Sequence, residues 1–476
     1  MTGQAALELV KRSCDNLTRK RPTKAVGSIR DFHWMELEDG MKVLTLVRSS
    51  SRPGSLIAVL LAAVLLATVA VACGGGDEES PAGTGTPTGG SATATTSAKA
   101  APGISDKEIL LGADVILSGS MGAVFATIPE ATNAYFKYIN ETEGGVCGRK
   151  IVYQYEDNKD DPAFAVEVAR KLVEQDKVFA MVGALGDSPH PASWEYLNEK
   201  GVPDILVSAG AHRFGADAEN HPWTVQMIPS YFVEGALFGQ YISENLPNKT
   251  VAVLHGDNAG GFDAMDGLEE GLDPAKNEIV AEEIAEYAAI SINSQIANLK
   301  KSNADIMVAF TSPGFSAQGL KVADRMGWHP QWFIDYTSAD DMMFQFVSPK
   351  LLEGAITFQA LKMADWRDDP AVAKHYEIMQ KYGGPAPTNF TIYAQVLAET
   401  AVEILSRTCD NLTRDGLMES VESLQNFHTD LMLDEVTVSF SDTDHTGLQT
   451  GRMLKATITA NGKGKWEYFG PLMEFE

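Results

Sequence analysis

The sequence predicts an α/β protein of two lobes, each a parallel sheet covered by helices on both faces. Short apolar runs alternate with helical patterns through residues 103–476, and the alternation makes a fresh start at Val251. Strands alternating with helices imply parallel sheets buried on both faces. The stretch is long enough for two domains of ordinary size. The chain is 44% hydrophobic, ample for a large core.

The first series begins with the apolar run Ile109–Leu117. Pro129 then opens a helix, since proline suits a first helical turn. Ile151–Tyr155 reads as the next strand. Asp161 followed by Pro162 is a cap and first-turn pair for a helix over Phe164–Gln175. Val178–Val182 and Ile205–Ser208 read as buried strands. The second series comprises Val251–His255, Glu278–Glu282, Asp305–Phe310 and Trp332–Asp335, with helices between them. Ligands of such sheets sit outside the carboxyl ends of the strands, so two lobes offer one shared cleft.

The N-terminal part is organised differently. Lys42, Arg48 and Arg52 precede an uncharged apolar run from Leu56 to Val71, and Ala70 and Ala72 precede Cys73. Residues 41–72 therefore resemble a bacterial lipoprotein signal, with Cys73 lipidated as the first mature residue. A lipid there would hold the rest of the chain on the outer face of a membrane. The alternative is a transmembrane helix, for which the run is short against the roughly 20 residues a span needs. Residues 73–102 are rich in Gly, Ser, Thr, Pro and Ala and lack aromatics, the composition of a flexible tether.

Residues 1–40 contain a repeat: Ala6–His33 resembles Ala401–His428 at a constant offset, and CDNLTR occurs in both. Two distant copies do not make a solenoid. The expectation is that 1–40 is a duplicated or spurious fragment of a homologue's C-terminal part, with Met41 as the authentic start. The rival is a genuine cytoplasmic extension.

The formal net charge is −26, and the acidic excess lies after residue 72. That excludes nucleic acid as a natural partner, because nucleic acid rewards a basic face. There are four cysteines and no CxxC, so a zinc or redox site has no local support. In an oxidising compartment Cys147 and Cys409 could pair, but spacing alone leaves this open. No cofactor or metal is expected.

Residues 103–476 carry a set of ordered motifs. ISDKEILLGADVILSGS opens the domain, and YINETEGGVCGRKI and EDNKDDPAFAVEVARKLVEQDKVFAMVGALG follow. PWTVQMIPSYFVEGA, GDNAGGFDAMDGLEEGL, SINSQIANLKKSNADIMV, ADRMGWHPQW and CDNLTRDGLMESVESL complete it. Together they resemble the solute-binding proteins of branched-chain amino acid ABC importers, of the leucine/isoleucine/valine-binding type. The resemblance implies a type I periplasmic-binding fold: two Rossmann-like lobes joined by a three-strand hinge. The first lobe is expected over about 103–228 and 360–428, the second over about 229–359 and 429–476. It also implies a monomer that captures an amino acid, an amide or a small carboxylic acid. Such a receptor hands its solute to ABC permease subunits and is lipid-anchored outside the cytoplasm.

Site residues follow from the resemblance position by position. Family members hold a ligand carboxylate with hydroxyls and backbone N–H groups on two loops of the first lobe. In Gly183–His190 of the first loop, Asp187 stands where the family usually has Ser or Thr; Ser188 could supply the hydroxyl. In the second loop Ser208, Gly210 and His212 are candidates, with a solvated loop histidine as the alternative for His212. Ser118 and Phe125 bound the loop after the first strand, where Phe125 is either a ligand wall or core. In the second lobe Asp257 and Asn258 are candidates against a solvated turn, and Gly260 lacks the family's tyrosine. Phe315 and the pair Asp335 and Tyr336 close the set, Asp335 being suited to a ligand ammonium. These departures argue against plain leucine or valine.

Two other classes compete. Asp187, Ser188 and His190 contain residue types for acyl transfer, but no G-x-S-x-G elbow surrounds Ser188. A sensory receptor domain of the same fold would continue into a signalling segment, and the chain stops at Glu476. The expectation is therefore a binding protein, not an enzyme.

Overall fold

The computed structural model describes residues 33–36, 42–45, 101–286 and 289–474. The chain divides into two units, Met1–Thr93 and Ala94–Glu476. In the first, β1 (His33–Glu36) pairs antiparallel with β2 (Lys42–Thr45). The apolar run before Cys73, Cys73 itself and the tether up to residue 100 lie outside the described residues. Among the described residues no helix is long and apolar enough to cross a membrane.

The second unit is built on two sheets. The first contains β3 (Glu108–Val115), β4 (Lys150–Asp157), β5 (Ala180–Val182), β6 (Asp204–Val207) and β7 (Thr224–Gln226). Its order is β4-β3-β5-β6-β7, and every pair is parallel. The second contains β8 (Thr250–Gly256), β9 (Glu278–Ala285), β10 (Ile306–Phe310), β11 (Gln331–Ile334) and β12 (Ile356–Gln359). These run β9-β8-β10-β11-β12, again all parallel. Thus both lobes have the doubly-wound order in which the first strand lies between the second and the third. The order reverses beside β3 and β8, which opens a crevice at the carboxyl ends of those strands. β13 (Thr450–Ile458) and β14 (Gly464–Glu474) extend the second sheet antiparallel from β12.

Local chemistry explains the elements. β5, β6 and β10 are buried at every position, as central strands covered on both faces must be. Edge strand β9 alternates partly buried and exposed residues and carries glutamates outward, which discourages further pairing. Asp161 accepts from the backbone N–H of Ala163 and Phe164 and starts the helix Pro162–Arg170. A π-helical turn, Lys171–Asp176, follows where the sequence suggests a continuing α-helix. The first lobe's core gathers Phe136, Phe179, Leu206 and Ile392. Two cores flank the second sheet, one around Trp332 and Trp466, the other around Phe238 and Phe333.

One expected boundary moves. Residues 429–449 pack with the first lobe, not the second. Leu431, Val438 and Phe440 are buried in the first core, and Leu448 donates its backbone N–H to Met227. The return to the second lobe falls just before β13. Cys147 and Cys409 are joined as a disulfide, with Cα atoms 5.3 Å apart across 262 residues of sequence.

Candidate interlobe binding site

A cavity of about 710 Å³ lies between the lobes where the two crevices face each other. Phe125, Leu185 and Ser208 line it from the first lobe, and Asn258, Phe310 and Phe315 from the second. Its size is ordinary for a small-molecule site, as is a mostly apolar wall with a few polar groups.

Of the sequence-derived candidates, Phe125, Asp187, Ser208, Asn258, Phe315, Asp335 and Tyr336 line the cavity. Ser118, Ser188, Gly210, His212 and Asp257 do not. Ser118 is exposed, and its hydroxyl engages Asp157. Ser188 is half-buried away from the cleft. Gly210 gives its N–H to Asp187 at 2.6 Å. His212 gives its N–H to Asp263 at 2.7 Å, and its Nδ1 lies 3.2 Å from Ser230 Oγ. Asp257 lies on the turn after β8, its backbone N–H bonded to Ala285.

Asp187 is the centre of the first-lobe side. Its Oδ1 accepts from the N–H groups of Gly210 and Ala211 at 2.6 and 3.0 Å. Its Oδ2 accepts from Tyr231 Oη at 3.1 Å. Burial raises the Asp187 pKa above the usual carboxylate range, while these three donors oppose the rise. The ring of Tyr231 fills the space between two glycines: a Cβ on Gly210 or on Gly260 would come within 2.5 Å of it. Tyr231 comes from the start of the helix Tyr231–Asn245, and its ring occupies the space beside Gly260.

The second-lobe side holds a pair of buried acids. Asp335 Oδ1 accepts from the Thr337 N–H at 2.8 Å and from the Thr337 hydroxyl at 2.5 Å. Burial pushes its pKa up to about 7, and the charge of Asp187 adds to the rise. Glu234, fully buried behind it, accepts from the Tyr336 N–H at 2.7 Å. Burial and the neighbouring Asp335 hold Glu234 well above its ordinary range. Tyr231 and Tyr336 stack with ring centres 5.5 Å apart. Among the described residues, the acidic side chains lining the cavity are Asp160, Asp187, Asp335 and Asp340, and the lining itself includes no Lys, Arg or His; His190, buried outside the lining, opposes the rise at Asp187. Among the same residues no group of three or more His, Cys, Asp or Glu side chains could hold a metal ion.

Several lining residues go beyond the sequence-derived set. Phe390 and Tyr393 sit three apart on the helix Asn389–Arg407, a spacing that puts both on one face. Phe390 packs edge-on against Phe125 at 5.3 Å, and Tyr393 Oη lies 2.5 Å from Ser208 Oγ. Their spacing is the available signal. The acyl-transfer grouping does not form: His190 is buried and pairs with Asp204 at 3.2 Å. Ser193, not Ser188, reaches the neighbouring Asp114, at 3.2 Å.

Two doubly-wound lobes enclosing a cleft at their switch points define a class of hinged binding proteins with a type I periplasmic-binding fold. A family model described as periplasmic binding protein matches residues 108–463, and the chain belongs to that family. Its members are solute-binding proteins without enzymatic activity. An amino acid binding protein of Pseudomonas aeruginosa is 27% identical over 164 residues, 34% of this chain and 43% of that protein. The chain spans less than half the length of the curated relatives it matches. Among solved structures, the fold is similar to a solute-binding protein of an ABC transporter from Rhodopseudomonas palustris in complex with 3,4-dihydroxybenzoic acid. That match has a TM-score of 0.66 at 19% identity and covers 77% of this chain and 97% of the other. A branched-chain amino acid ABC transporter protein from Thermus thermophilus with bound valine matches with a TM-score of 0.65 at 18% identity. Here the coverage is 77% and 98%.

Proposed function

We propose that this chain is an extracytoplasmic receptor that captures a small organic solute between its lobes and delivers it to the permease of an ABC importer. The observation that carries the reading is the cavity of about 710 Å³ formed where the switch points of both lobes meet. A solute seated there touches both lobes, so it binds the closed form better than the open one and shifts the population toward it. The disulfide supports an oxidising location outside the cytoplasm. A lipid on Cys73 would keep a monomeric receptor near its permease while a tether lets it reach. Amino acids, amides and small carboxylic acids are the solute classes that the sequence and the relatives bring forward.

A thermal-shift screen across these classes tests the proposal. A ligand at 100 times its Kd adds about 2.7 kcal/mol of stability. Stabilisation by at least one such solute, abolished by filling the cleft with Ser208→Trp, is the expected outcome. No response to any small organic solute would sink the reading. Mass spectrometry of the membrane-associated protein would test acylation at Cys73.

A further inference from the structure

We propose that Asp187 is a built-in substitute for a ligand carboxylate, so that the cleft takes solutes with an apolar body, an N–H donor and no carboxylate. This rests on the receptor reading above and narrows its substrate class.

The turn Gly210–His212 presents three consecutive backbone N–H groups. Such a group of donors suits an anion. All three already have carboxylate partners from the protein. Asp187 takes Gly210 at 2.6 Å and Ala211 at 3.0 Å, and Asp263 takes His212 at 2.7 Å. Tyr231 closes the other oxygen of Asp187 at 3.1 Å, and its ring seals the space between Gly210 and Gly260. An incoming carboxylate would therefore find each donor of this turn already engaged. It would also meet the like charge of Asp187 among described walls that carry acids and no base. Placing it there means burying an unpaired charge, which is strongly unfavourable.

A donor meets the opposite situation. Asp335 lines the cleft with its Oδ1 committed to Thr337, and the carboxyl of Glu234 stands buried behind it. Tyr336 follows Asp335 in the chain, Phe310 follows the Ala309 carbonyl that accepts from the Asp335 N–H, and Phe315 also lines the cavity. Aromatic faces beside a carboxylate suit an ammonium or amide N–H on an apolar body.

Two measurements on the purified protein test the assignment. The first is chemical rescue. Asp187→Ala frees the N–H groups of Gly210 and Ala211, so acetate or formate should raise its Tm saturably and leave the wild type unmoved. Asp187→Ser serves as a second variant should the alanine protein fail to fold. The second is calorimetry with matched probes: 3-methylbutylamine, leucine and 4-methylpentanoate, and their phenyl counterparts. The wild type should prefer amine over either acid by at least about tenfold, or 1.4 kcal/mol. Asp187→Ser should shrink that preference, and an amide series separates ammonium from neutral N–H recognition. Equal binding of acid and amine by the wild type overturns the assignment and leaves the receptor reading intact. A folded Asp187→Ala or Asp187→Ser protein indifferent to acetate and formate also overturns it. Carboxylate rescue without binding of any solute would sustain the role of Asp187 and count against the receptor reading.

Discussion

The two lobes repeat one strand order and furnish its switch point in opposite ways. In the second lobe the polar side chains after β8 and β10 serve their own helices. Asn258 caps Ala259–Gly271 through the Gly261 N–H, and Ser312 caps Pro313–Arg325 through Phe315. In the first lobe Ser118 makes no such cap, and Asp187 reaches across to a different loop. The first lobe is also stapled by Cys147–Cys409, whereas the second is held by packing on either side of its sheet. The difference shows that a shared topology sets where a cleft forms, and loop side chains decide what it accepts.

Four measurements would break or sharpen this contrast. The largest effect is expected from pH, because each lobe buries acids. Burial pushes Asp114 and Glu399 in the first lobe, and Asp335 in the second, up to about 7. The folded protein then holds protons that the unfolded chain releases near pH 4. This stability is complete below about pH 4 and is lost as pH rises through about 7. Each tenfold gain in proton affinity on folding is worth about 1.4 kcal/mol. Carboxylates held below their usual range act oppositely in acid; Asp305, bonded to the Thr250 N–H and Lys249, is one. A Tm at pH 5 well above that at pH 8 is expected. Asp114→Asn and Asp335→Asn should each flatten the slope by their own lobe's share; an unchanged slope in both would refute the account.

Next comes Phe333→Ala, in β11 and fully buried against Phe238 at 5.4 Å. A loss of about 3–5 kcal/mol by urea denaturation is expected for such a cavity. Cys409→Ser should cost about 2–5 kcal/mol. By hydrogen exchange the added lability should concentrate in the first lobe, and equal loosening of both lobes would contradict the contrast. Tyr231→Phe is the mildest: removing one donor from the Asp187 carboxylate should cost roughly 1.5–3 kcal/mol. An unaltered stability and ligand profile would show the hydroxyl to be idle.

Much of the architecture is legible in apolar runs bounded by turn residues, as at Val251–His255 within β8 and Asp305–Phe310 around β10. β7 is not, because three residues carry no period. β13 and β14 escape such a reading because exposed and half-buried positions interrupt their apolar residues without a clean alternation, on an antiparallel extension outside the βα rhythm. Residues 429–449 join the first lobe rather than the expected second through isolated bridges, such as Leu361 with Met432, which have no local signature. In the cleft, the chemistry of Asp187 against a carboxylate ligand can be read from residue types alone. What it bonds to cannot, since Gly210, Ala211 and Tyr231 lie more than twenty positions away. Tyr231 follows Pro229 and Ser230 at a lobe crossing, where no periodicity marks a side chain as inward.

The sulfur bridge has a topological consequence. It closes a covalent ring through 262 positions of chain, and the strands β8 to β12 all lie inside that ring. A protease that nicks any loop between them would leave two pieces still fastened together. They would migrate as one species on a denaturing gel and part only when a thiol is added.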